Sequence, residues 1–274
     1  MPYLKVKKED GSLLFDTEKI TYGLLKSGYL TATEPWYRKK LRSAQLNPGH
    51  GSSWVDNPNQ PDPQWAFTVE NSVSPILFIV GDGCLNGTSV SGATRTYIFG
   101  NASAGTKVYA FDIMRDIGYP PRLRTWLDSG QLTFNSFMPP LNIAFTVQPP
   151  GLGNSSGGAA VKTAYAGGHN QTMQGGYTPI QYSHYTIPLG NEEFASHLTF
   201  SRTGAVVPDS GTSGCSVLEG AGGYAGGVKF MFGPAGGSTV TLTGGQYYGY
   251  YGIPVDRMPT ALVIRTANLP FPFG

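Results

Sequence analysis

Gly153-Asn154-Ser155-Ser156-Gly157 has the G-x-S-x-G spacing that can raise a nucleophilic serine out of a sharp turn. That elbow needs a buried strand before it and a helix after it. The preceding Pro149–Gly153, PPGLG, cannot be a core strand, so a flexible serine-glycine loop is expected instead. Two Asp-Ser-Gly triplets, Asp128–Gly130 and Asp209–Gly211, carry the residues of a proton-sharing carboxylate dyad. Such a dyad needs symmetric loops flanked by apolar strands. The first triplet reads as a hairpin turn, and the second follows Pro208 in a turn context. Of His50, His169, His184 and His197, no two lie at i, i+2 or i+4, so no local zinc pair is expected; His184 and His197 could meet only across strands. Asp82, Asp112 and Asp116 surround one predicted strand pair, with Asp82 in a Gly-Asp-Gly turn. No Gly-rich phosphate loop followed by Lys-Ser or Lys-Thr is present. The expectation is a protein that is not an enzyme, with no catalytic residues, no cofactor and no metal.

The elements that would carry any site are strands. With 38 Gly, 21 Pro, 16 Tyr and 14 Phe, the chain is poor in helix formers and rich in residues suited to pleated surfaces and turns. Nine Lys and Arg fall within residues 5–42, whereas residues 151–274 hold only ten charges, five of each sign. The basic segment around Glu34-Pro35-Trp36-Tyr37-Arg38-Lys39-Lys40 has no nucleic-acid-binding signature, so a solvated face or a contact with an acidic protein neighbour is expected. A charge-poor C-terminal half suits burial against partners. Cys84 and Cys215 belong to no metal-type pair and read as small buried thiols. No charged n-region and apolar h-region open the sequence, and no apolar run approaches a membrane span. Folding in a reducing cytoplasm is therefore expected.

Two stretches resemble each other, Glu9–Thr17 (EDGSLLFDT) and Asp128–Ser136 (DSGQLTFNS). Each reads as a strand, a polar turn with glycine and a second strand ending on a small polar pair. Either shared turn chemistry or a repeated structural element accounts for the match. Glu34-Pro35-Trp36 could open a short helix, with proline at its first position. Residues 47–64, rich in turn formers, are expected to be a loop. WAFTVEN and SPILFIVGDG read as strands, the second buried on both faces, and TRTYIFG and KVYAFDI as a further strand pair.

Antiparallel β-sandwich architecture with Gly/Pro-rich turns and little helix is the expected fold class. The expected domains are an N-terminal sandwich over residues 1–148, a Gly/Ser/Pro-rich linker or long loop over 149–176, and a Gly/Tyr-rich β domain over 177–274. In the last, Gln246–Pro254 (QYYGYYGIP) offers four tyrosines, as an aromatic core or as a contact surface.

With LLFDT at 13–17, YAFDI at 109–113 and LRTWLDSGQLTFNS at 123–136, residues 1–145 resemble tail-tip and baseplate-associated proteins of long-tailed, siphophage-type bacteriophages. The resemblance implies a virion structural protein, made and folded in the host cytoplasm. It would dock to other tail proteins and contact neighbouring subunits or the host surface, including a host glycan or receptor. A homo-oligomer, trimer or larger ring, with no nucleic acid and no membrane span, goes with that reading. Expected contact residues are Trp36, Tyr37, Arg38, Lys39 and Lys40 near the N-terminus and Tyr247, Tyr248, Tyr250 and Tyr251 distally, because aromatics and arginine are enriched in interface cores. The alternative is a carbohydrate-binding β-sandwich that recognises surface glycans through aromatic faces.

Overall fold

The computed structural model describes residues 5–7, 9, 11, 13–16, 19–41, 54–118, 123–157, 160–173, 180–207, 213–241 and 249–274. The protein is all-β: antiparallel sheets pack together in the manner of a β-sandwich, with no helix among the described residues. The chain opens with a hairpin, β1 (Lys5–Lys7) and β2 (Leu13–Asp16). It continues through β3 (Tyr22–Tyr29), β4 (Thr31–Leu41), β5 (Trp54–Val69), β6 (Ile76–Val80), β7 (Cys84–Ser91), β8 (Thr94–Gly100) and β9 (Lys107–Ile113). A second hairpin, β10 (Arg124–Trp126) and β11 (Leu132–Asn135), precedes four short strands. These are β12 (Phe145–Val147), β13 (Ser155–Gly157), β14 (Ala160–Val161) and β15 (His169–Met173). The C-terminal region comprises β16 (Ile180–Leu198), β17 (Thr203–Val207), β18 (Ser213–Thr241), β19 (Gly249–Tyr251) and β20 (Ala261–Arg265).

One sheet has the order β4-β5-β8-β7, and a second, much larger sheet collects twelve strands around β16, β6 and β18. The apolar run Ile76–Val80 has β9 on one side and touches β16 and β18 on the other, and its side chains are covered on both faces. Leu77 and Ile79 pack with Phe67, Val69 and Phe99 between the two sheets. Phe78 and Val80 point the other way, onto Leu24, Tyr109 and Phe111, where Leu141, Ile143, Phe271 and Phe273 close the layer. The period-2 alternation of a strand thus divides five consecutive apolar residues between two cores. A third core, around Tyr165, Phe230, Phe232 and Tyr250, lies among the C-terminal strands.

Four expectations change. The segment beginning at Glu34-Pro35-Trp36 is part of β4 and not a helix, because it pairs with β5 from Thr31↔Ala66 to Leu41↔Trp54. Residues 54–64 are strand and not loop; residues 47–53 lie outside the described set. Pro58, Pro61 and Pro63 are tolerated because β8 pairs with β5 only over Trp65–Val69, so their missing N–H groups are not needed by a second ladder. Strands β8 and β9 both form but do not pair: β8 lies between β5 and β7, and β9 between β3 and β6. Finally, the segment expected as a linker or long loop over 149–176 contributes strands β13, β14 and β15 to the large sheet, in which β6 and β9 join β16 and β18.

The glycine-rich middle of β18 is strand interior. A side chain at Gly222 would overlap the Gly81 carbonyl, and one at Gly223 the Phe194 carbonyl, so these two glycines let three backbones meet without spacing atoms.

The two hairpins match residue for residue. The first pairs Lys5↔Asp16, Val6↔Phe15 and Lys7↔Leu13; the second pairs Arg124↔Asn135, Thr125↔Phe134 and Trp126↔Leu132. Every partner is displaced by 119 residues, and the register breaks at the same step, Val6/Lys7 and Thr125/Trp126. Gly11 and Gly130 occupy equivalent turn positions with φ of +82° and +81°. Each hairpin ends on the same backbone turn, Lys19 N donating to Asp16 O and Met138 N to Asn135 O, both at 3.0 Å. The chains leaving them then run side by side, with Leu141 N donating to Tyr22 O at 2.9 Å. The repeat seen in the sequence is therefore a repeat in structure.

Candidate functional site

Along β4, alternation splits the basic-aromatic segment between two sides. Tyr37 is partly exposed and Lys39 exposed, Lys39 reaching Asp56 at 2.8 Å, while Trp36 is half-buried. Arg38 turns inward and is only 5 % exposed. Its Nε donates to both Asp62 carboxylate oxygens at 3.1 Å, and Nη2 donates to Asp62 Oδ1 at 2.8 Å and to the Tyr182 hydroxyl at 3.2 Å. Nη1 lies 3.7 Å from Cys215 Sγ. Burial opposes the Arg38 charge, but the bonds to Asp62 together with the electrostatic pull of Tyr182, Cys215 and Asp62 raise its pKa. Burial likewise pushes the Cys215 thiol up, against the pull of Arg38. Arg38 is thus a cross-sheet tie between β4, β5, β16 and β18. Lys40 pairs with Val55 through the backbone.

Of the distal tyrosines, Tyr247 and Tyr248 lie outside the described residues. Tyr250 is 1 % exposed, its hydroxyl accepting from Ser183 N at 2.5 Å, and burial pushes that hydroxyl up to about 12. Tyr251, one step along the strand, is half-buried. Among the described side chains of the expected contact set, Arg38 and Tyr250 are buried, Trp36 and Tyr251 half-buried, and Tyr37 and Lys39 exposed.

A second buried charge pair escaped the sequence reading. Arg202 Nε donates to Glu219 Oε2 at 2.7 Å and Nη2 to Oε1 at 2.8 Å, and the Tyr165 hydroxyl donates to the same Oε1 at 2.9 Å. Arg202 and Glu219 side chains are 1 % and 0 % exposed. Burial first, then Glu219, holds the Tyr165 hydroxyl well above its ordinary pKa. The signal available was a lone glutamate within the apolar-glycine run CSVLEGAGG, in a half of the chain with few charges. Both carboxylate oxygens are occupied, and a fork-to-fork pair of this kind fixes strand β18 against Arg202 and the Tyr165 loop.

The concave site lies elsewhere. A cavity of about 650 Å³ opens between β3, the end of β5 and the residues after β9, with Lys26, Glu70, Asn71, Ser72, Arg115 and Phe273 on its walls. Asn71 is held at φ +50°, a left-handed conformation that asparagine tolerates better than most residues. Asp112 organises the wall from below, accepting from Val73 N at 2.7 Å, from Ser74 N and Ile113 N at 2.8 Å and from Arg115 Nη1 at 3.0 Å. Burial would raise its pKa, but these four donors together lower it. Arg95 Nη1 pins the opposite side through Ser72 O at 2.9 Å and Ser72 Oγ at 2.8 Å. Arg115 Nη2 is buried without a hydrogen-bond partner. The walls thus combine both charge signs with an apolar Phe273, a set suited to a hydroxyl-bearing ligand.

The other motifs take structural places. Ser155 lies on edge strand β13, with β14 and not a helix after it. Asp128 sits in the β10–β11 turn, closed by Gly130 N to Leu127 O at 2.9 Å, while Asp209 is outside the described residues. Among the described residues both cysteines are free thiols, and no group of three or more His, Cys, Asp or Glu is placed to hold a metal. Nor is any helix among them long and apolar enough to cross a membrane. No family model, curated protein or solved structure matches the chain.

Proposed function

We propose that this chain is a structural protein of a phage tail tip or baseplate, which docks to the tail and contacts neighbouring subunits or the host surface. The observation that carries the reading is the pair of hairpins with one register, one bulge and one turn, standing as two-stranded units apart from the main sheets. Equivalent elements suit a symmetric or pseudo-symmetric assembly, where one kind of docking surface is met more than once. The second hairpin carries exposed apolar side chains at its base and side, Leu123 at 43 % and Trp126 at 54 %. The test is light-scattering mass of the full chain beside Trp126→Ala. A defined trimer or larger ring, weakened in the variant with its near-ultraviolet spectrum intact, supports the reading. A monomer in both, together with absence of the chain from purified tails by mass spectrometry, overturns it.

A second reading, a glycan-binding β-sandwich, is favoured by the cavity at Arg115. Lys26 and Glu70 beside Phe273 can donate to and accept from sugar hydroxyls over an apolar floor. Glycan-array binding by the full chain that is lost in Lys26→Ala would support it; an array with no binding would remove it.

A further inference from the structure

Strand pairing brings together two histidines that lie far apart in sequence. His169 on β15 and His184 on β16 are direct partners in the antiparallel ladder, so both rings leave the same face of the sheet. Their ring centroids are 5.8 Å apart, with the planes inclined by 37°. Two imidazoles bound tetrahedrally to one ion at ordinary metal–nitrogen distances have centroids about 5 Å apart. A small rotation of one ring closes the difference, and His169 is exposed and able to make it.

We propose that His169 and His184 form a two-imidazole site for a late first-row divalent ion, such as zinc, nickel or copper, with water completing the coordination. The charges beside the pair are balanced. The nearby ammonium of Lys229 is itself neutralised, since Nζ donates to both Asp82 carboxylate oxygens at 2.9 and 2.8 Å. The position of Lys229 opposite Thr186, two residues from His184, puts that balanced pair on the same face. Imidazole pairs without carboxylate or thiolate partners select metals high in the Irving–Williams order over magnesium and calcium. The site is independent of tail assembly and of the Arg115 cavity.

The test is calorimetric titration of the chelator-stripped full chain with zinc and with nickel, beside His169→Asn, His184→Asn and, as a control, His50→Asn. One ion per chain is expected, with affinity unchanged in the control and weakened about tenfold or more in either pair variant. Copper loading adds a spectroscopic readout: electron paramagnetic resonance should report coupling to two imidazole nitrogens, reduced to one in each single variant. His169 is exposed, so His169→Asn keeps the test valid even if the His184 variant folds poorly. No ion bound by the parent chain, or binding unaffected by His169→Asn, overturns the proposal.

Discussion

The hairpins β1–β2 and β10–β11 share a register, a bulge and a glycine turn, yet they stand on different ground. At the foot of the second, Asn135 is fully buried: its side chain donates to Arg115 O at 2.8 Å and accepts from Phe137 N at 3.0 Å. Met114, Phe134 and Met138 pack beneath it. Through Arg115 and Asp112 the foot is joined to the turn at Val73 and Ser74. The equivalent Asp16 is also buried, but its ion pair is with Lys5 of its own hairpin, at 3.6 Å. Local turn chemistry can therefore be copied along a chain while the anchorage is rebuilt at each site.

The largest effect that would sharpen this contrast is expected at Asp112. Removing a buried carboxylate that satisfies three backbone N–H groups and a guanidinium should cost about 3–5 kcal/mol in denaturant unfolding of Asp112→Ala. Hydrogen exchange should rise at the Ser136 and Met138 amides and not at the Lys19 amide. An equal rise at both feet would break the contrast. Because the folded pKa of Asp112 is depressed, its stabilisation is complete above the ordinary carboxylate range and is lost as pH falls through the depressed value. Asp112→Asn should therefore flatten the acid end of the stability profile.

Exchanging the foot residues comes next. Asn135→Asp places a carboxylate against the Arg115 carbonyl at a fully buried position and should cost about 2–3 kcal/mol. Asp16→Asn, the reverse exchange, keeps the side-chain size beside the half-exposed Lys5 and should cost less than Asn135→Asp. Costs of similar size, measured by urea unfolding, would mean that the two feet are equivalent after all. The smallest differential belongs to the turns. Gly11→Val and Gly130→Val each force a branched side chain to positive φ, at about 1–2 kcal/mol apiece, with the two values equal within error.

What the sequence made legible was local. The hairpins, the doubly buried Ile76–Val80 and the strands at 94–100 and 107–113 follow from turn glycines and β-branched or aromatic runs. What it concealed was set by distant partners. Proline at 35 suits a helix start equally well, and only pairing with β5 decides for a strand. In β5 the partners jump from Tyr37↔Pro61 to Lys39↔Asp56, so Asn57–Gln60 bulge opposite Arg38, an irregularity that reads in sequence as a loop. The cavity at Arg115 and the His169–His184 pair were equally hidden, since each is assembled by residues that only the folded chain brings together. Spacing rules find histidines that share a helix or a strand; a ladder can bring together any two.

The place of β6 has a consequence for biosynthesis. Val80 is covered by Gly223, and Ile79 by Ser196, so this five-residue apolar strand leaves the ribosome more than a hundred residues before its neighbours on that side exist. At ordinary elongation rates the wait is on the order of ten seconds. Throughout it the nascent chain can satisfy β6 only along the β9 edge, and the other edge remains an adhesive strip for other nascent chains on the same message. Yield in a recombinant host should accordingly respond to slower initiation, lower temperature and ribosome-associated chaperones more than to any change in the finished protein's surface.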